Sequence, residues 1–175
     1  MSFVIYYINI RGFKSKSDSL EAIILSLNKP DVVVLCEIKT VSASMIRTYF
    51  KKLGYDAILK KSSGIIIASK CKLNMICVTK SVHDSILAGC VKIGDSDVTI
   101  IALYGPQETE NAELRAHFYE EIAIEVQACV DRGSHPVLIG DFNAKIMTEN
   151  NIVLGISPSG SLLKELLAQH WLQNV

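Results

Sequence analysis

An apolar run near the N-terminus decides the fold: Pro30-Asp31-Val32-Val33-Val34-Leu35-Cys36-Glu37. The run is short, rich in β-branched residues and bounded by Pro30 and Glu37, a pattern typical of a strand buried on both faces. A second segment, Phe3–Ile10, is also rich in β-branched and aromatic residues. The sequence therefore predicts two buried strands, one on each side of residues 11–29.

The segment between these strands has the pattern of an amphipathic helix. Leu20, Ile23 and Ile24 recur at helical spacing on one face, and Ser17 or Asp18 can cap the N-terminus. The chain thus opens with a strand, a helix packed on the sheet, and a second strand.

The remaining elements follow from hydrophobic periodicity and turn residues. Helices are predicted over 42–53, 110–130 and 161–170, and strands over 55–59, 64–69, 73–79, 86–93, 98–104 and 136–140. The glutamates of the long helix are expected to face water, and a polar loop is expected before the last helix. Several consecutive strands do not fit a doubly wound parallel sheet. We predict an α/β (α+β) chain in which two sheets form a β-sandwich flanked by helices.

Composition indicates one globular domain over 1–175. The chain has 49% hydrophobic residues, a mean hydropathy of +0.29 and 21% charged residues. This provides apolar surface for a packed core and excludes the high-charge class of disordered proteins.

The charge distribution is uneven although the formal net charge is zero. Nine basic residues occur from Lys39 to Lys80 against the single acid Asp56, and residues 108–125 contain six glutamates against Arg115. A zero net charge argues against bulk electrostatic coating of nucleic acid. The basic segment is compatible with a face that follows phosphates, and equally with a solvated lysine surface.

The cysteines indicate a reducing compartment. Their number is odd, five, and no two are spaced as Cys-x-x-Cys, so buried free thiols are expected rather than a disulfide framework or a zinc site. No signal peptide and no apolar run of the ~20 residues that a membrane span requires is found. We predict an intracellular protein, nuclear or cytoplasmic, that is not secreted and has no membrane partner.

Polar side chains stand at the ends of four predicted strands. They are Asn9, Glu37, Tyr104, Asp141 and Asn143. Each alone could cap a turn or face solvent. Together, amide, carboxylate and phenol groups at converging strand ends match the requirements of phosphodiester hydrolysis, in which Mg²⁺ takes oxygen ligands.

Four ordered motifs carry a resemblance to the endonuclease/exonuclease/phosphatase (DNase I-like) superfamily. They are Tyr7-Ile8-Asn9-Ile10-Arg11-Gly12, the run Pro30–Glu37, Leu103-Tyr104-Gly105-Pro106, and Gly140-Asp141-Phe142-Asn143-Ala144-Lys145. The resemblance covers essentially the whole chain and implies a DNase I-like four-layer architecture.

Within the superfamily the chain is most similar to the endonuclease domain of LINE-type non-LTR retrotransposons. Tyr104-Gly105-Pro106 before a long acidic helix, residues 141–145, and a leucine-rich helix at 160–167 carry this finer likeness. It implies a hydrolase that binds DNA and nicks it to leave a 5′ phosphate and a 3′ hydroxyl that primes reverse transcription.

The resemblance also implies roles for the five polar residues. Glu37, assisted by Asn9, would bind the catalytic Mg²⁺, for which Mn²⁺ could substitute. Asp141 would orient or deprotonate the attacking water, Asn143 would hold the scissile phosphate or the metal shell, and Tyr104 would donate a hydrogen bond to charge developing on phosphorus.

The resemblance breaks at the C-terminus. Family members continue to an aspartate and to a Ser-Asp-His triplet, whereas this sequence stops at Val175 before either motif. We therefore expect a C-terminally truncated domain with an open sheet edge, at which a second copy or a partner chain could associate. Loss of the histidine would cost ~10²-fold to 10⁴-fold in rate. A catalytically dead module that binds nucleic acid or protein, and a phosphatase of the same superfamily, are the alternative functions.

Overall fold

The computed structural model describes residues 3–39, 41–149 and 152–169. Its elements in chain order are β1 (Ile5–Asn9), α1 (Ser17–Ser26), β2 (Val32–Cys36), α2 (Ala43–Lys52), β3 (Tyr55–Lys60), β4 (Ile65–Lys70), β5 (Ile76–Cys77), β6 (Ile86–Ile93), β7 (Ser96–Tyr104), α3 (Ala112–Asp131), β8 (His135–Asp141), β9 (Ile146–Glu149), β10 (Ile152–Ile156) and α4 (Pro158–Gln169). A short 3-10 turn lies at Cys71–Leu73.

The strands form two four-stranded sheets and a separate hairpin. The first sheet has the order β1-β2-β4-β3, the second β5-β6-β7-β8, and β9 pairs with β10. The pairs β1-β2 and β7-β8 are parallel, and the other pairs are antiparallel. In each four-stranded sheet, the parallel pair brings the carboxyl ends of two neighbouring strands to the same end of the sheet.

Three apolar clusters divide the molecule into four layers. One cluster joins the inner faces of both sheets, the second joins the first sheet to α1 and α2, and the third joins the second sheet to α3 and α4. The predicted two-sheet sandwich flanked by helices is confirmed.

Strand β2, the centre of the apolar run Pro30–Glu37, is the most buried strand. All five residues of β2 have no exposed surface. Val33 and Leu35 contact the helix layer, whereas Val32, Val34 and Cys36 contact the other sheet. A strand covered on both faces needs no polar residue, which explains the unbroken run.

The outer strands β1 and β8 are edge strands. Every residue of β1 is half-buried, and β8 is half-buried after its exposed first residue. Their apolar side chains still contact the core clusters, for example Tyr6, Ile8 and Leu138. Among the described residues, β1 and β8 therefore each have a strand on one side only.

Two helix starts differ in how they are capped. Ser42 caps α2, with its side chain accepting from Met45 N at 3.2 Å. The predicted caps of α1 are wrong: the cap position is Lys16, without a side-chain hydrogen bond, and Ser17 and Asp18 lie inside the first turn. The carboxylate of Asp18 in the first turn is still favourable, because it lies near the positive N-terminal end of the helix dipole.

Three segment predictions also need correction. Of 73–79 only Ile76–Cys77 pairs as a strand, and the predicted polar loop after β8 contains the β9-β10 hairpin. Helix α4 begins at Pro158 because Ser157 Oγ accepts from Gly160 N at 3.1 Å and caps it. Its predicted end, His170, lies outside the described residues.

The prediction that the α3 glutamates face water is wrong for two of them. Glu121 is 7% exposed and Glu125 is fully buried. Both carboxylates accept hydrogen bonds from the loop before β6, at residues 80–82. A loop with unsatisfied backbone N–H groups supplies the partners that make burial of these charges tolerable.

No helix within the described ranges combines the length and the apolar character that crossing a membrane requires.

Candidate active site

The two parallel strand pairs bring four predicted site residues to one end of the sandwich. Asn9 is the register partner of Cys36, which precedes Glu37, and Tyr104 is the register partner of Asp141. The Cys36 thiol donates to Leu103 O at 3.4 Å, so the sheets are in contact there. Strand ends of both sheets therefore meet at a single rim.

Three of these side chains are joined by hydrogen bonds through Glu37. Asn9 Nδ2 donates to Glu37 Oε1 at 2.5 Å, and the Tyr104 hydroxyl donates to the same oxygen at 3.1 Å. Asn9 Oδ1 is buried and has no hydrogen-bond partner among the described residues. The arrangement leaves an unsatisfied acceptor next to a carboxylate.

The backbone around Glu37 is held in an uncommon conformation. Glu37 has φ 58° and Lys39 has φ 56°, and Arg11 opposite them has φ 50°. Positive φ at residues other than glycine costs of order 1–3 kcal/mol and clusters at functional sites. Gly12 N donates to Glu37 O at 2.8 Å, which extends the β1-β2 pairing past the strand ends and fixes this segment.

Tyr104 remains a hydrogen-bond donor over the physiological pH range. Burial, the hydrogen bond to Glu37, and the charges of Glu37 and Asp141 raise the pKa of Tyr104 to about 12. The strand register pairs Tyr104 with Asp141, which places the two residues side by side at the ends of β7 and β8.

Asn143 bonds to Asp141 and Gly105 beside the rim, whereas Asn9 and Tyr104 bond to Glu37. Its backbone N–H donates to Asp141 Oδ1 at 3.1 Å, and its side-chain Nδ2 donates to Gly105 O at 2.6 Å. It therefore ties the loop after β8 to the loop after β7. No hydrogen bond joins its side chain to Asn9, Glu37 or Tyr104.

Glycine is required where these loops pass each other. A Cβ on Gly140 would lie 2.0 Å from Leu103 O, and a Cβ on Gly105 would lie 2.6 Å from Phe142 O. Both distances are shorter than any real carbon contact. The close approach of β7 and β8 at the rim thus depends on two glycines of the sequence motifs.

Sequence reasoning missed the opposite wall of the site. A cavity of about 390 Å³ is lined by Glu37 and Tyr104 together with Lys39, Lys61, Ser62, Ser63 and Gly64. The lysines and serines come from the segment after β2 and from the β3-β4 turn, which Ile38 N joins by a hydrogen bond to Gly64 O at 3.2 Å. No sequence signal placed this turn beside Glu37.

Tyr7 is a second residue that was missed. Its hydroxyl is buried without a hydrogen-bond partner among the described residues. Burial and the nearby Cys36, Asp141 and Glu37 raise the pKa of Tyr7. Because side chains alternate along a strand, its position two residues before Asn9 places it on the same face of β1 and could have indicated it.

The oxygen atoms at the rim suit a hard cation. Asn9 Oδ1 is an orphaned acceptor, and Glu37 supplies a carboxylate beside it. Mg²⁺ is commonly held by one or two carboxylates, with water and substrate filling the other positions. In the described ranges no three His, Cys, Asp or Glu side chains are grouped for a metal, so the chain would contribute few ligands of its own.

Solved structures show the same fold at low sequence identity. An AP endonuclease from Archaeoglobus fulgidus has a TM-score of 0.73 and 20% identity, covering 96% of this chain and 71% of that one. A 3′ phosphatase, NExo from Neisseria, bound to a product DNA hairpin, has a TM-score of 0.72 and 17% identity, covering 95% and 71%. The endonuclease domain of TRAS1, a telomere-specific non-LTR retrotransposon, has a TM-score of 0.64 and 14% identity, covering 97% and 71%.

The family assignment rests on the sequence match. No curated protein matches the chain. Residues 7–148, which contain all four motifs and the rim described above, match the profile of the Endonuclease/Exonuclease/phosphatase family. The chain therefore belongs to the endonuclease/exonuclease/phosphatase family.

Proposed function

We propose that this chain is a Mg²⁺-dependent DNA endonuclease that nicks target DNA for retrotransposition. The observation that carries the proposal is the hydrogen-bonded group Asn9-Glu37-Tyr104 at the rim, with Asn9 Oδ1 left unsatisfied. Folding alone does not require a buried acceptor beside a strained carboxylate residue. A site that binds a cation and a phosphate gives these groups their partners.

The comparisons support DNA as the substrate class. The family contains nucleases and phosphatases. One neighbour is bound to a product DNA hairpin, another to a single-strand DNA product, and a third is a retrotransposon endonuclease domain. The lysines beside the cavity, Lys39 and Lys61, carry charge suited to a phosphate backbone.

Glu37 and Asn9 would hold the metal ion. When bound, Mg²⁺ would supply Lewis-acid stabilisation of the phosphoryl group. Asn9 Nδ2 fixes the Glu37 carboxylate by its hydrogen bond, and Asn9 Oδ1 has no partner among the described residues. The protein's own contribution is a pre-oriented pair of oxygen ligands. Mn²⁺ is expected to substitute for Mg²⁺ at this site.

Tyr104 and Asp141 would act on the phosphate and on water. The Tyr104 proton, bonded to Glu37 in this structure, is available to a phosphoryl oxygen that accumulates charge. Asp141, next to Tyr104 in the strand register, would orient or deprotonate the attacking water. Asn143 would contribute by holding the loops around Asp141, or the phosphate if its amide leaves Gly105 O.

The open strand edges support a protein partner as part of the proposal. β1 and β8 expose half-buried apolar strands on their outer sides, and such edges favour pairing with further strands. We propose that a second copy or another polypeptide covers them. All five cysteines are unpaired, which supports a reducing, intracellular compartment. Cys36 and Cys129 are buried as predicted, whereas Cys71 and Cys90 are half-buried and Cys77 is exposed.

Nicking of supercoiled plasmid by the purified chain tests the function. The reaction is run with Mg²⁺, with Mn²⁺ and with EDTA, and Glu37→Ala prepared in the same way is the control for contaminating nuclease. We expect nicks that require both the metal ion and Glu37, with 3′ hydroxyl ends that a polymerase can extend. Activity equal to the Glu37→Ala preparation would contradict an active nuclease and leave the binding module as the function.

A 3′ phosphatase is the second candidate, favoured by the likeness to the 3′ phosphatase from Neisseria. A panel of intact duplex, 3′-phosphorylated duplex and a small phosphate ester separates it from an endonuclease. Release of phosphate without internal cleavage would establish the phosphatase.

A further inference from the structure

The loop Lys80–Ser85 crosses from the helix layer to the candidate active site. It connects β5 to β6, and Ser85 O accepts from Tyr104 N at 3.0 Å. On its other side, Lys60 Nζ donates to His83 O at 2.6 Å, and Ser62 Oγ donates to Asp84 Oδ1 at 2.8 Å. The loop thus contacts both a predicted site residue and the β3-β4 turn that lines the cavity.

Two buried carboxylates of α3 hold this loop. Glu125 Oε2 accepts from Lys80 N at 2.7 Å and from Ser81 N at 2.8 Å. Glu121 Oε2 accepts from Ser81 Oγ at 2.7 Å and from Val82 N at 3.2 Å. Carboxylate acceptors make stronger hydrogen bonds than neutral groups, so the first three residues of the loop are firmly fixed.

The burial of these carboxylates is costly for folding. Glu125 is fully buried, no basic side chain pairs with either glutamate among the described residues, and Glu125 Oε1 has no hydrogen-bond partner there. Buried carboxylates without a cation or a full set of donors are rare because desolvation opposes them. A requirement for the position of the loop accounts for their presence.

We propose that Glu121 and Glu125 are positioning residues for the active site, and that the loop Lys80–Ser85 is a rigid support for residues that line the substrate cleft. Through Ser85 O the loop fixes the backbone position of Tyr104. Through Lys60 and Ser62 it fixes the distance of the β3-β4 turn from Glu37. The two glutamates thereby fix the width of the cleft in which a DNA phosphate would lie. This inference rests on the proposed function for its substrate, but its structural part can be tested separately.

The test compares Glu121→Gln and Glu125→Gln with Glu113→Gln, a control on the same helix whose side chain is exposed. Hydrogen exchange of backbone amides is measured first, without substrate. We expect the two buried-site variants to speed exchange at residues 61–64 and at Tyr104 as well as at 80–82, whereas the control leaves all of them unchanged. Faster exchange confined to 80–82 would overturn the proposal.

Kinetics of nicking then test the positioning role. Misplacement of reacting groups acts on kcat, so we expect about a 10-fold fall in kcat in both variants with KM little changed. Lys60→Met, which removes the link to His83 O, should give a fall that is not additive with Glu121→Gln, because both act through one loop. Additive effects, or an unchanged kcat, would contradict the positioning role. Nicking by the unmodified chain would still support the proposed function in that case. If the unmodified chain does not nick DNA, the exchange experiment still decides the positioning role.

Discussion

Asn9 Nδ2 donates a hydrogen bond of 2.5 Å to Glu37 Oε1, although 28 residues separate the two side chains in the sequence. Asn9→Asp replaces this bond by a contact between two carboxylates, which repel each other without a cation. We expect a lower Tm in EDTA and a larger rise in Tm on adding Mg²⁺ than for the unmodified chain, since ligand binding stabilises the folded state. Thermal unfolding with and without Mg²⁺ measures both. Equal shifts in the two proteins would mean that Asn9 does not adjoin a metal site.

Tyr104→Phe tests the hydroxyl that donates to Glu37 at the rim. The variant loses the donor to Glu37 and the donor proposed for the substrate phosphate, and loss of one such donor costs on the order of 10²-fold in kcat. Tyr49→Phe is the matched control, because the Tyr49 hydroxyl donates to Ser17 O in the helix layer, away from the rim. Nicking rates of the two variants are compared with the unmodified chain. A fall of similar size in both would indicate a general loss of structure instead.

The site was largely predictable because its residues end buried strands. An apolar run that stops at a polar residue marks both the strand and the point where its side chains reach solvent, and parallel strands bring such points together. This reasoning located Asn9, Glu37, Tyr104 and Asp141 at one rim. It could not predict that the side chain of Asn143 bonds to Gly105 O instead of to the group around Glu37, because this contact depends on the path of two loops.

The parts that were not predictable depend on tertiary partners. Helical periodicity places glutamate on the outer face of α3, yet Glu121 and Glu125 are buried because a distant loop offers them N–H and O–H donors. Lys61 and Ser62 reach the site because the β3-β4 turn packs on the segment after Glu37. No local pattern in the sequence records such contacts.

Gly140 determines how closely β7 and β8 approach. A Cβ in Gly140→Ala would meet Leu103 O at 2.0 Å, which forces the two strands apart at the rim. We expect a destabilisation of roughly 3 kcal/mol or more, measured by urea unfolding. Gly94→Ala is the control: its φ is +60° but nothing lies within 4 Å, so only the backbone cost of about 1 kcal/mol is expected. Equal costs at both positions would argue against the close approach.

Tyr55 should make stability sensitive to alkaline pH. Burial raises its pKa from 10.0 to about 12, and its hydroxyl donates to Pro30 O at 2.5 Å. Because the folded-state pKa lies above the unfolded one, this contribution is complete below pH 10 and is lost as the pH rises towards 12. Tyr55→Phe should be less stable by about 1 kcal/mol at neutral pH, with the difference narrowing between pH 10 and 12. Urea unfolding across this range measures it, and parallel stability curves would contradict the shift.

The open edges of β1 and β8 should be visible in hydrogen exchange. Each of these strands has one neighbour in its sheet, whereas β2 and β7 have two. In dilute solution we expect amides of β1 and β8 to exchange faster than those of β2, which is the internal control. At higher protein concentration exchange in β1 and β8 should slow while that in β2 does not change, since an unpaired apolar edge gains hydrogen bonds by pairing with another strand. Exchange independent of concentration would mean that the edges do not join copies of this chain, and the partner would then have to be a different polypeptide.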